Sequence, residues 1–419
     1  MSSGPDPSAP IGRRLVRNLR LLAAFRALQM AMFPIAIVPL YWRDELGFSV
    51  AEIFLIHALF GLFTACLEFP GGYLADRIGY RTAMGVASLC SLLGWLVLGG
   101  AGGFGAVLVG EFLLACSLSL TSGTDAALLY ESLAGLGRES EFARWFGRNR
   151  SLGAASEGTA ALAAGMLYAV WPPLPFFVQA LVWIVNAAIV VALVEPARDL
   201  GESGSVVARV RAIFAFAAIR SKTLRASIAV ALVLGLSTFV PVWIFALYAE
   251  RAGVSAAWIG VLWAGANYTV AIGNWLGDRT SETFGEVGAL AISLGWIALG
   301  FAGMGLVASV GGVFFYAALC LGRGLYSPVL GQIQQRLIPS SDRASLLSIN
   351  SLLFRAVFFG LGPLVGAAID ATGERRTLLV AGALFVPIAA LTLAWLARLL
   401  ARDAQAGGGP SAALKTPSR

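Results

Sequence analysis

The sequence predicts an all-α membrane protein: twelve transmembrane helices in two pseudo-symmetric six-helix bundles. Composition is the first of three observations behind that expectation. Of the 419 residues, 58% are hydrophobic and only 13% are charged, against roughly 25% charged in a soluble domain. The mean hydropathy is +0.79. A water-exposed globule this poor in charge cannot cover itself, whereas lipid asks for no polar surface. The second observation is an internal repeat. Gly72-Tyr73-Leu74-Ala75-Asp76-Arg77 returns in blurred form as Asn274-Trp275-Leu276-Gly277-Asp278-Arg279, roughly 200 residues later. Phe33-Pro34-Ile35 through Leu40-Tyr41 aligns with Val240-Pro241-Val242 through Leu247-Tyr248, and a Gly-x-Ser turn follows each (Gly47 to Ser49, Gly253 to Ser255). Asn149-Arg150-Ser151-Leu152 likewise resembles Asn350-Ser351-Leu352-Leu353. The third observation is where the basic residues fall. Alternate polar breaks hold 23 of them, and the intervening breaks hold only Arg43, Arg251, Arg375 and Arg376. This positive-inside alternation puts both termini in the cytoplasm. It also accounts for the net charge of +7 without a nucleic-acid partner.

A spanning helix needs about 20 apolar residues. Twelve candidates lie near 21–42, 50–75, 82–101, 106–133, 151–171, 175–195, 226–249, 256–277, 286–308, 311–337, 345–369 and 377–400. Short breaks, such as 99–105 and 171–175, force neighbouring helices to run antiparallel. The expected organisation is a cytoplasmic arm over 1–20, a first bundle over 21–195, a linker over 196–225, a second bundle over 226–400 and a disordered tail over 401–419. Within the linker, Arg209, Arg211 and Arg220 flank Ile213, Phe214 and Phe216, the pattern of an amphipathic helix on the inner membrane surface. The matched Pro34 and Pro241 are expected to bend helices 1 and 7. The first apolar stretch is too long for a signal-peptide core and has no small-residue cleavage site after it.

Several function classes drop out. The four cysteines lie singly inside apolar runs, with no spacing for a disulfide or a metal knuckle, and read as small core residues. No metal-ligand cluster and no cofactor motif is present. The single histidine, His57, falls inside a span, where a core or interface role fits it better than a catalytic triad. No Gly-x-x-x-x-Gly-Lys-Ser/Thr loop exists to hold nucleotide. The chain does not read as an enzyme or an ATP-driven pump.

The stretch Gly72 to Asp76-Arg77-Ile78-Gly79-Tyr80-Arg81 resembles the cytoplasmic loop motif of the major facilitator superfamily, with Glu68-Phe69-Pro70-Gly71 similar to a lead-in seen in bacterial members. Ser122 to Leu133 is similar to a fourth-helix ending in one group of bacterial exporters. The resemblance covers essentially the whole chain. It implies alternating access, with helices 1, 4, 7 and 10 lining the cavity and helices 2, 5, 8 and 11 forming the contact between halves. It also implies a gating role for Gly72, Asp76, Arg77, Gly79 and Arg81, and for the degraded copy Asp278-Arg279; Glu68 is expected to gate through its own pairing with Arg355, which would close the inner gate. In such a loop Asp76 accepts from amides at a neighbouring helix start. The chain departs from the family in three places: Tyr80 fills a usually basic slot, helix 5 has Gly153, Gly158 and Gly165 but no Gly-Pro, and Glu111 sits where many proton-coupled members place an arginine.

An ionised group at mid-bilayer costs on the order of 2.5–3.5 kcal/mol on insertion scales, so embedded charges are functional candidates. Here they are Arg26, Glu68, Glu111, Asp125, Glu157, Arg323 and Arg355. Arg26 is expected to pair with Glu157, and Glu68 or Asp125 with Arg355. The alternative for each is a static packing pair. Asp125 leads as the proton site, with hydrogen bonding to Ser122 or Thr124 as its structural alternative. Arg323 is placed to meet an anionic cargo group; its alternative is snorkelling. Arg26, Asp125, Glu157, Arg323 and Arg355 thus form the expected substrate or proton pathway. The expected function is proton-coupled efflux of a small amphiphilic or drug-like molecule by a monomer in the cell (inner) membrane. Two alternatives stay open: uptake or exchange of an organic anion through Arg26, Arg323 and Arg355, and a transport-inactive receptor or assembly partner on the same fold.

Overall fold

A computed structural model describes residues 10–196, 221–338 and 343–405, and every regular element among them is helical. The helices are α1 (Pro10–Met30), α2 (Val38–Asp44), α3 (Val50–Ile78), α4 (Tyr80–Gly99), α5 (Phe104–Thr121), α6 (Thr124–Ala134), α7 (Phe142–Val170), α8 (Leu174–Ala192), α9 (Lys222–Arg251), α10 (Ala256–Leu306), α11 (Phe315–Arg336), α12 (Arg343–Thr372) and α13 (Glu374–Gln405). Nine stretches of the described residues are long and apolar enough to cross a membrane. The longest, α10, has 51 residues and is interrupted at Gly285, with φ 72° and ψ 165°. At about 1.5 Å per residue that is length for two crossings.

Two expected spans are broken helices. The first apolar stretch stops as α1 at Met30 and resumes as α2 at Val38. Pro34 and Pro39 stand five residues apart here, and each lacks the N–H that would carry the helix through. The Phe33 amide freed by the break donates instead to Gln179 Oε1 on α8, at 3.0 Å. Its repeat mate Pro241 has no second proline beside it and lies inside an unbroken α9. The fourth span also divides. Ser122 leaves helical geometry at ψ 105° and Gly123 turns left-handed at φ 83°, so α5 ends and α6 begins. Boundaries elsewhere differ less. Helix α1 starts ten residues into the expected arm, α9 starts inside the expected linker, and α13 runs five residues into the expected tail. The linker's amphipathic segment and the end of the tail lie outside the described residues.

The repeat survives in atomic detail. Tyr41 donates from its hydroxyl to Gly99 O at the end of α4 (3.2 Å), and its mate Tyr248 donates to Met304 O at the end of α10 (2.8 Å). Gly47 and Gly253, the matched turn glycines, have φ of 70° and 96°. Small residues let helices approach closely. Gly94 and Gly110 face one another between α4 and α5, where Ser91 Oγ donates to Ser117 Oγ at 2.7 Å. Gly273 and Gly324 do the same between α10 and α11, where Ser293 Oγ donates to Gly322 O at 2.7 Å. Close backbone contact and interhelical hydrogen bonds replace the hydrophobic drive that lipid removes.

The chain forms two compact units. The first comprises Met1–Phe48, Leu55–Val206 and Ser255–Ala264; the second comprises Ser49–Phe54, Val207–Val254 and Gly265–Arg419. In the first unit, Gly260 at the start of α10 lies against Ala161 O of α7, and Gly165 lies against Ala256 O. In the second unit, the opening turn of α3 is capped by Asp370 of α12, whose carboxylate accepts from the Val50 and Ala51 amides at 2.9 Å each. Phe54 then packs on Phe358, with ring centroids 6.1 Å apart. The cysteine expectation needs correcting. Only Cys320 is buried; Cys90 and Cys116 are half-buried and Cys66 is exposed. In a membrane chain an apolar run marks contact with lipid as readily as burial in a core.

Candidate functional site

The break between α5 and α6 opens a pocket of about 300 Å³ in the first unit. It lies about 27 Å along the apolar run that starts at Phe104, counting 1.5 Å per residue. Broken helices are the usual way for a membrane protein to present backbone dipoles to a ligand. Arg26 of α1, Asp125 of α6, and Asn149 and Arg150 of α7 share its wall with Gln29 and Thr121. The polar groups form a relay. Arg26 Nη1 donates to Gln29 Oε1 (2.8 Å), Gln29 Nε2 donates to Thr121 Oγ1 (3.2 Å), and Thr121 donates back to Ser117 O (2.9 Å). Asp125 faces Arg26 across 4.0 Å, an ion contact without a direct hydrogen bond.

The structure brings together only part of the expected pathway. Arg26 was expected beside Glu157; it meets Asp125, and passes beside Gly153, one turn before Glu157. Asp125 does not bond Ser122 or Thr124. Its carboxylate accepts from the Ala126 amide at 2.8 Å, and Thr124 Oγ1 donates to Leu120 O. Glu157 and Glu68 are half-buried on α7 and α3, in the first unit, and Arg355 is half-buried on α12, in the second. Glu111 is 7% exposed on α5 and lies outside the pocket. His57 is buried against Trp42, with ring centroids 5.1 Å apart, as a core role requires. Arg323 is exposed on α11, one turn from the buried Cys320 and beside Tyr326, whose hydroxyl meets Thr238 Oγ1 at 3.1 Å. An apolar groove lined by Trp296, Ala318 and Leu321 marks another side of α11. At 100° per residue, Arg323 points about 140° from Ala318 and about 160° from Leu321, away from that groove.

The loop motif forms a second polar cluster. Gly79 takes φ 96°, which lets α4 start at Tyr80. The amides of Tyr80 and Arg81 donate to the Glu195 carboxylate at 2.8 and 2.7 Å. Arg81 reciprocates, donating to Val190 O (3.2 Å) and Val191 O (2.6 Å) at the end of α8. Asn18 of α1 clasps the same segment through both the N–H and the carbonyl of Val194. Asp76, expected at a helix start, accepts from the Tyr80 hydroxyl at 3.3 Å, and Arg77 covers the Tyr73 ring at 5.0 Å. Gly72 has open space around it. In the second copy, Asp278 accepts from Gln332 (2.8 Å) and Arg279 lies over Trp275 at 3.9 Å. Outside the spans, Arg138 donates twice to Glu141 and holds that carboxyl below its ordinary value.

Glu195, Asn149, Arg150 and Gln29 are the polar groups that reasoning from sequence missed. Asn149-Arg150 had a signal in the repeat itself; Glu195 had none beyond its charge at the end of a span.

No curated protein matches the sequence significantly. Solved structures match it throughout at low identity. The nucleoside transporter NupG has a TM-score of 0.74 at 12% identity, covering 91% of this chain and 98% of its own. A bacterial homologue of the human lysosomal transporter Spinster, inward-facing and unoccupied, has 0.74 at 16%, covering 94% and 99%. A POT peptide transporter in complex with alafosfalin has 0.69 at 16%, covering 95% and 97%. The sequence model of the Major Facilitator Superfamily matches residues 20–363. With the loop motif, the repeated bundle plan and that match in agreement, the chain belongs to the Major Facilitator Superfamily.

Proposed function

We propose that this transporter couples proton movement to the export of a small organic molecule, and that the pocket at the α5–α6 break is where the two meet. The observation that carries the reading is Asp125 facing Arg26 across 4.0 Å at a broken helix. A carboxylate this close to a cation, yet not hydrogen-bonded to it, is free to exchange its charge partner. It takes up a proton when Arg26 turns to an anionic group and loses it when Arg26 returns. Both termini cytoplasmic, residence in the inner membrane, a monomeric state and a gating role for the two loop copies belong to the same proposal. Glu157, Arg323 and Arg355 remain in it as further members of the pathway.

The test uses purified protein in vesicles carrying a proton gradient and a pH dye. Adding cargo should dissipate the gradient with the native chain and fail to do so with Asp125→Asn, while Asp125→Asn still binds cargo. Undiminished coupling in Asp125→Asn removes the carboxylate from the mechanism. Organic-anion exchange is the second reading. Arg26 and Arg150 in one pocket favour it, and electroneutral exchange without proton movement would establish it. A transport-inactive receptor would bind cargo and move nothing.

A further inference from the structure

Helix α7 is longer than a membrane crossing. Its 29 residues span about 43 Å at 1.5 Å each. A hydrocarbon core of about 30 Å takes about 20 of them, which leaves the charged turns from Phe142 to Arg150 in the headgroup layer. Arg144 and Arg148 stand one turn apart in those turns, and both are exposed. Leu162 lies five helical turns beyond Arg144, and Met166 five turns beyond Arg148, so all four share one side of the helix. Leu162 is 40% exposed and Met166 is 62% exposed; on a membrane helix such apolar side chains face acyl chains. Phe146, which lines the α5–α6 pocket, points about 160° away from both arginines. The pair therefore ends a lipid-facing stripe and does not belong to the pocket.

The pair is electrostatically unfavourable by itself. Like charges four residues apart on a helix repel, and a cation in the first turn, as Arg144 is, opposes the helix dipole. No acid offsets them. Glu141, at the start of α7, is held by two hydrogen bonds from Arg138 at 2.6 and 2.8 Å. Neither Arg144 nor Arg148 forms a salt bridge among the described residues. Arg148 lies instead over the Trp145 ring, 5.4 Å from its centroid, and a guanidinium held by its face keeps an N–H edge open to an oxyanion. Trp145 itself is half-buried, an aromatic anchor of the kind found at membrane interfaces.

We propose that Arg144 and Arg148 bind the phosphate of an anionic phospholipid whose acyl chains lie along the stripe that holds Leu162 and Met166. The site is separate from the transport cycle. A zwitterionic lipid offers the same phosphate but brings an ammonium group, so it leaves the charge of the pair uncompensated.

The test titrates the full chain in detergent and reads thermal unfolding. The probes are dioleoyl-phosphatidylglycerol, dioleoyl-phosphatidylcholine and soluble glycerol 3-phosphate. Phosphatidylglycerol should raise the unfolding temperature by several degrees at a concentration where the other two do not. Arg144→Gln and Arg148→Gln should each weaken its binding about fivefold, and the double variant about thirtyfold. Both side chains are exposed, so the lipid-free variants should unfold within a degree or two of the native chain. If the double variant does not fold, the two single variants carry the same test. A matched double variant, Arg398→Gln with Arg402→Gln, removes two exposed arginines from the C-terminal turns of α13, where the dipole favours cations. It should change binding less than twofold. An unchanged response in Arg144→Gln/Arg148→Gln overturns the proposal, and so does an equal loss in the α13 variant, which would mean diffuse attraction. An equal shift with glycerol 3-phosphate would make this a free-phosphate site, and an equal shift with phosphatidylcholine would make headgroup charge irrelevant; either result overturns it.

Discussion

Glu195 receives two backbone hydrogens that no motif announces. It lies at the end of a span, ahead of a long polar stretch, where an acid looks like ordinary solvated charge. Its role comes from a distant helix start that the fold brings within 2.8 Å. Sequence reasoning identified the loop residues Gly79 and Arg81 but not the carboxylate they converge on, because local patterns carry no information about a partner 115 positions away. Removing it leaves two α4 amides without an acceptor, so Glu195→Ala should lower stability by about 1–2 kcal/mol. Glu195→Gln should recover part of that through its remaining carbonyl oxygen. Denaturation in detergent followed by circular dichroism measures both. Equal stability of all three proteins would show that water already serves those amides. Arg26 and Asp125 were both legible as expensive embedded charges, but their pairing was not. Spacing along a helix gives height in the membrane and says little about azimuth.

At the scale of helices, apolar length located the spans well and their interruptions poorly. Hydropathy averages over about twenty residues, so Ser122-Gly123 vanished inside an otherwise apolar run, although Thr-Ser-Gly-Thr is a recognisable breaker. The same averaging hid how closely helices approach. A side chain at Gly110 meets Leu98 and one at Gly165 meets backbone carbonyls of α10. Overpacking of this kind costs typically 1–3 kcal/mol, more where backbone must move. Gly165→Leu should therefore destabilise the chain more than Gly110→Leu, since a leucine neighbour can change rotamer and a carbonyl cannot. Unfolding midpoints of the two variants give the order, and the opposite order would mean that α10 slides freely at this crossing.

For the whole molecule the repeat was the most informative feature of the sequence, and Tyr41 and Tyr248 show that it persists down to single hydrogen bonds. Each hydroxyl ties a helix end to a carbonyl in its own unit. Tyr41→Phe and Tyr248→Phe should each cost about 1 kcal/mol. The double variant should cost their sum within about 0.5 kcal/mol, as distant sites do. A clear excess would reveal energetic coupling between the repeats. What the repeat could not convey is where the copies diverge. Pro34 sits in a broken helix and Pro241 in a continuous one, because one additional proline, Pro39, stands near the first.

Among the described residues, the Gly123 and Thr124 amides at the head of α6 have no acceptor in the bonds that close the turn. Backbone left bare in hydrocarbon is too unfavourable to persist, so solvent must reach them. A thread of hydration therefore reaches the joint between α5 and α6. Deuterium should enter the Gly123 and Thr124 amides within seconds while the Ser122 amide, bonded to Leu118 O, and the flanking turns of α5 and α6 hold their hydrogens for hours.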